Sequence, residues 1–253
     1  MEAAAHTTTP ARWEPNTRVA EAQVVYPDSD GKPMSDNTLQ YQWIVRLRDN
    51  LDAMLPDFVA GDLLWYPVKG DPSLRVAPDV MVVLGRPKGH RGSYKPFEEE
   101  GVAPAVVFEV LSPGNKPDEM VHKVLSFFRY GAREVVLIDP VSQTGSAWWR
   151  GEAGEIEGVD AIDGWTSPAL GVRFERSGYL LEVYRPDGTR FLDFRELEAR
   201  ANEAEARAAE ELRLRAEESR LRAEESRLRA EAEARADRLA ARLAALGVSV
   251  DDV

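Results

Sequence analysis

The 253-residue sequence contains no cysteine. That absence excludes disulfides, thiolate zinc sites and cysteine nucleophiles together, and it fits a reducing compartment. Histidine is nearly as scarce: His6, His90 and His122 lie far apart and show no ligand spacing. Any bound metal would meet oxygen ligands, which favours magnesium or manganese over zinc. No apolar run approaches the roughly 20 residues that a membrane helix needs. The opening "MEAAAHTTTPARWEP" lacks the basic start and apolar core of a secretion signal. The expectation is a cytoplasmic protein with no membrane segment. Basic residues are also in deficit, 32 against 44 acidic ones, for a net charge of −12. From Arg195 onward there are 12 basic and 15 acidic residues, so −9 of the −12 belongs to the first 194. An acidic domain is a poor general binder of nucleic acid, because backbone affinity comes from neutralising phosphates. A nucleic-acid role therefore needs a local basic patch or metal ions.

What is present is an alternation of helical and strand-like segments, predicting an α/β (α+β) fold built on a mixed sheet. Residues 1–19 read as a flexible extension, 20–192 as one domain, and 193–253 as a charged helical tail. "AQVVYP" suggests a short early strand. Ser35 or Asp36 is placed to cap a helix running to about Leu55, with Leu39, Trp43, Leu47 and Leu51 recurring every four residues. "FVAGDLLWYPV" reads as a strand or hairpin; "APDVMVVLG", "AVVFEVL" and "EVVLIDP" read as buried strands. "KPDEMVHKVLSFFRYG" reads as a helix, with Pro117 in its first turn, Asp118 and Glu119 at its positive end and Gly131 at its stop. Later antiparallel strands are expected in "SAWWRGEAG", "EIEGVDAI" and "VRFERSGYLLEVYRPDG". The tail repeats every seven residues, with Leu214, Leu221 and Leu228 in register. Glutamates occupy the neighbouring seam positions, so a long solvated helix and a weak coiled coil both fit. Residues 198–246 are the candidate contact of a homodimer.

One residue is out of place in this pattern. Glu109 sits inside "AVVFEVL", an otherwise apolar run, and a buried carboxylate costs several kcal/mol unless something compensates it. Pro78-Asp79 opens the preceding strand. If the two strands pair, both acids meet at one end of the sheet, as a divalent cation requires. The plainer alternatives are a turn role for Asp79 and a lysine partner for Glu109.

The order of helix, strand with "PD", strand with "E-x-x" and helix resembles the PD-(D/E)XK nuclease superfamily. The stretch "RVAPDVMVV…VVFEVLSPGNKPDEMVHKVLSFFRYGAREVVLIDP" is similar, more narrowly, to the Uma-type family of restriction endonucleases. The resemblance covers about residues 20–192 and is most specific from Arg75 to Pro140. It implies a restriction-endonuclease-like fold and Mg2+- or Mn2+-dependent cleavage of DNA phosphodiesters, with Asp79 and Glu109 matching the two metal-binding acids. The sequence departs from the superfamily two positions after the glutamate, where Leu111 stands in place of lysine. Lys123, on the following helix, is the candidate replacement, with a snorkelling surface lysine as the alternative. Asp118 and Asp62 are further candidate acids; the other reading of Asp118 is a helix-start carboxylate and that of Asp62 a turn residue.

Arg86, Lys88, Arg91 and Lys95, in the loop "GRPKGHRGSYKP", form the densest basic cluster. They are candidate phosphate contacts, or else they balance Glu98, Glu99 and Glu100. Trp148 and Trp149 point to opposite faces of a strand and read as packing residues rather than base-stacking platforms. No G-x-S-x-G surrounds Ser112, which argues against a serine hydrolase. The competing functional reading is a catalytically inactive nuclease-fold module that binds nucleic acid or a protein, with the tail mediating association.

Overall fold

The computed structural model describes residues 24–31 and 35–245. The proposed extension 1–19, the start of "AQVVYP" and Leu246 fall outside the described residues. Val24–Pro27, the described part of that stretch, form no strand. The elements are α1 (Thr38–Met54), β1 (Asp57–Gly61), β2 (Val80–Pro87), β3 (Val106–Val110), α2 (Pro117–Arg129), β4 (Glu134–Asp139), β5 (Thr144–Arg150), β6 (Ile156–Val159), β7 (Arg173–Ser177), β8 (Leu180–Tyr184) and α3 (Phe194–Ala245).

Strands β1 to β6 form one mixed sheet in sequence order. Only β3 and β4 are parallel, and α2 makes the crossover between them. Both strands are buried along nearly their whole length, which explains their continuous apolar runs. Side chains alternate across the sheet. Val80, Val82, Phe108 and Val110 face a core completed by Trp43, Ile44, Leu47 and Leu51 of α1 and by the β7–β8 pair. Met81, Val83 and Val107 face a second core with Val124, Phe127 and Phe128 of α2. Each large side chain buried this way contributes roughly 1.5–3 kcal/mol before entropy is subtracted. Glu109 shares the parity of Val107, so the pleat aims it at α2.

Helix α1 starts later than the sequence pattern suggests. Its N-cap is Asn37, not Ser35 or Asp36; the Asn37 side chain accepts from the Gln40 N–H at 2.9 Å. We expect Asn37→Ala to lower stability by about 1 kcal/mol in urea denaturation; an unchanged midpoint would contradict this cap. Helix α2 begins on Pro117 and ends before Gly131, whose φ of +108° suits glycine and where a Cβ would lie 2.8 Å from that of Ala103.

The contacts divide the chain into two units, one ending at Phe191 and the other beginning at Leu192. In the second, α3 runs for 52 residues, about 78 Å, and none of them is buried. Pairs such as Glu211–Arg215 at 2.5 Å and Glu218–Arg222 at 2.6 Å line its surface. Leu214, Leu221 and Leu228 are exposed.

Candidate active site

Strands β2 and β3 pair antiparallel, with Val80 opposite Phe108 as the last pair of their ladder. Asp79 and Glu109 are the next residues outward on each strand, at one end of the sheet. Asp79 is 9% exposed and Glu109 3%. Beyond the ladder's end the Val110 N–H has no partner on β2; it donates instead to Asp79 Oδ2 at 2.7 Å. Lys123 comes from the second turn of α2, and its Nζ donates to Glu109 Oε2 at 2.6 Å. The lysine side chain is 33% exposed, so its ammonium reaches the acid from the open side. Glu109 Oε1 is buried without a hydrogen-bond partner.

Burial pushes the Glu109 carboxyl up to about 8, against the pull of the Lys123 ammonium; the Asp79 charge adds to the rise. Burial also raises Asp79, opposed by Lys123, the Val110 N–H and the Gln40 amide. For Lys123 the balance is reversed. Burial favours the neutral amine, but Glu109, Asp79 and Asp62 together hold its pKa above the ordinary lysine value. The cluster therefore holds its protons tightly, as a cation-poor carboxylate site should.

Asp79 and Lys123 line a cavity of about 570 Å³ together with Gln40, Asp36, Asp62 and Arg75. Asp62 follows β1 with a left-handed φ of 46°, and its N–H donates to the Asp79 carbonyl at 3.1 Å. Burial and the neighbouring Asp79 and Asp30 push its carboxyl up to about 6. Asp118 does not join this group: it is exposed in the first turn of α2 and is absent from the cavity wall. The place of the missing lysine is filled as its side chain dictates. Leu111 lines a separate apolar groove with Met120, Val124, Phe128 and Trp148.

The basic loop is not beside the acids. Strand β2 runs eight residues from Val80 to Pro87, roughly 26 Å at 3.3 Å per residue, so Arg86, Lys88 and Arg91 leave from the end opposite Asp79. Each is matched by a carboxylate: Arg86 and Arg91 by Glu99, Lys88 by Asp52, and Lys95 by Glu98. Arg91 also stacks over Phe58 at 4.0 Å. Lys88 and Arg91 line a different cleft of about 700 Å³, larger than the cavity at the acids but containing neither of them. The cation that does line the acid cavity besides Lys123 is Arg75, within "RVAPD" and not singled out by the sequence pattern. Trp148 and Trp149 are both partly buried; Trp149 packs against Trp165 at 5.8 Å.

Among the described residues no group of three or more His, Asp or Glu side chains is gathered to hold a metal. Two acids remain a sufficient protein contribution for magnesium, which keeps several waters and takes one or two carboxylates. The unpartnered Glu109 Oε1 is an oxygen donor of the required kind, so the residues present fit such a cation.

The model of the Uma2 family, described as "Putative restriction endonuclease", matches residues 36–175. The chain belongs to this family. A solved structure, that of "a putative nuclease belonging to DUF820 from Anabaena variabilis ATCC 29413", shares 20% identity, with 55% of this chain and 77% of that chain covered, at a TM-score of 0.39. No curated protein matches the chain. Among the described residues no helix is long and apolar enough to cross a membrane.

Proposed function

We propose that the chain is an endonuclease that hydrolyses DNA phosphodiester bonds with a divalent cation, Mg2+ or Mn2+, held by Asp79 and Glu109. The observation that carries this reading is the meeting of the two acids at one sheet end with Lys123 Nζ 2.6 Å from Glu109 Oε2. A cation held there supplies neutralisation of phosphate charge and a bound water of lowered pKa. The chain's own residues do the rest. Lys123 has three N–H donors. One engages Glu109, leaving two for a phosphate oxygen that gains charge in the transition state. Arg75, exposed on the cavity wall, is suited to a neighbouring phosphate. Asp36 and Asp62 border the same cavity.

A second reading, a nuclease-fold module that binds without cutting, draws support from the direct Lys123–Glu109 bond, which occupies one of the proposed ligand oxygens. Plasmid nicking by purified protein in Mg2+ and then Mn2+, beside an Asp79→Ala, Glu109→Ala double variant, separates the two. The nuclease reading expects cleavage by wild type alone. No cleavage by correctly folded wild type in either ion leaves the binding module.

A further inference from the structure

Of the two buried polar residues of α1, Gln40 and Asn50, Gln40 lines the acid cavity; it is 7% exposed on a helix face it shares with Trp43, Ile44, Leu47 and Leu51. A buried amide persists only when its donors and acceptor are matched. Gln40 Nε2 donates to the Val110 carbonyl at 2.8 Å, and Gln40 Oε1 accepts from the Asp36 N–H, also at 2.8 Å. Val110 is thus gripped twice on the side where β2 has ended, through two successive peptide groups. Its N–H goes to Asp79 and its carbonyl to Gln40. Asp36 returns to the same place through its side chain, accepting from Ser112 Oγ at 2.5 Å. The start of α1 and the exit from β3 therefore form one hydrogen-bonded unit, closed around the last residue of β3.

We propose that Gln40 is a positioning residue for the Asp79 carboxylate, acting through the Val110 backbone that both side chains hold. The proposal rests on the reading of Asp79 as a cation ligand. It explains why an amide stands where a leucine would pack: an apolar side chain fills the space but leaves the Val110 carbonyl unmatched, with that peptide held only on its other side, where the Leu111 N–H donates to the Ile138 carbonyl at 2.7 Å. Rotation of the backbone at the Val110 Cα then shifts the preceding peptide, which bears the Val110 N–H, and with it the Asp79 oxygen bound there.

The test is Mn2+ affinity, read as free Mn2+ by electron paramagnetic resonance, in wild type, Gln40→Met and Gln40→Glu. Methionine conserves volume and removes the directed bonds. Glutamate keeps the acceptor for Asp36 but loses the donor to Val110. We expect about tenfold weaker Mn2+ binding in both, with nicking at saturating Mn2+ reduced in kcat and unchanged in KM. Affinity within twofold of wild type in Gln40→Met, even with a lower melting temperature, would show a purely structural role and overturn the proposal. Binding as tight as wild type or tighter in Gln40→Glu would overturn it as well, since nearby negative charge would then be all that matters. A wild type that binds no Mn2+ would instead remove the cation reading, and the role of Gln40 with it.

Discussion

Plasmid nicking by Asp79→Asn falls by about 10³-fold, equivalent to about 4 kcal/mol of transition-state stabilisation, while the fold survives. The substitution is chosen for what it preserves. Asparagine has the shape of aspartate, and its Oδ1 accepts the Val110 N–H as Asp79 Oδ2 does now at 2.7 Å. Alanine would leave that buried N–H unmatched, at a cost of about 1–3 kcal/mol, and would mix a stability defect with a chemical one. What asparagine cannot supply is the negative charge that binds a divalent cation. Because burial already disfavours the ionised form of Asp79, the neutral isostere should be at least as stable as wild type. Nicking within tenfold of wild type, at unchanged metal dependence, would remove Asp79 from the assignment.

Lys123→Met has the second large effect, and it depends on pH. Removing the ammonium leaves Glu109 buried without its charged partner. Its carboxyl, already pushed up to about 8 by burial, loses the main influence opposing that rise. An acid whose pKa is raised on folding favours the folded state fully below its ordinary unfolded value, near 4.3. That contribution declines as pH rises and ends at the folded pKa. In wild type the decline stops near 8; in Lys123→Met it continues. The two proteins should therefore have similar stability at pH 5.5 and separate above pH 8. The deficit should reach about 2 kcal/mol by pH 9.5, since one linked proton changes stability by about 1.36 kcal/mol per pH unit above the wild-type value of about 8. Adding Glu109→Gln should close the gap without restoring nicking. Urea denaturation at pH 5.5, 7.5 and 9.5 measures it. A deficit that is the same at all three would mean that Lys123 stabilises by packing its stem on Phe127 rather than by compensating Glu109.

Much of the frame was legible because burial leaves a simple mark. Strands covered on both faces become unbroken apolar runs, so β3 and β4 stand out, and a charge within β3 stands out more. Lys123 could be placed by helical angle, since Met120, Val124 and Phe127 define the buried face of α2. The sequence was opaque where contacts are made by single polar groups across long separations. The four-residue spacing of α1 points Leu39 inward, yet Leu39 is 36% exposed and its neighbour Gln40 is buried. Nothing local announces that a glutamine will meet a carbonyl 70 residues away. The basic loop misled for the opposite reason: it follows the Asp79 strand in sequence, but an extended strand carries its two ends apart. Its charges find the glutamates that follow it, Glu98 and Glu99, and the Asp52 side chain beyond α1's middle. Arg75 went unnoticed because a lone arginine before a strand has no pattern to mark it.

The absence of buried residues along α3 has a thermodynamic meaning. A globular unit melts as one because every side chain of its core depends on the others. A helix held only by its own turns and by exposed pairs has no such dependence: each turn adds little, and loss can begin at either end or at any weak point. Such a rod shortens and regrows by fraying rather than by a concerted transition, so its average length changes smoothly with temperature and with the salt that screens its ion pairs. The 52 residues of α3 are therefore expected to lose helix gradually on heating rather than in one step.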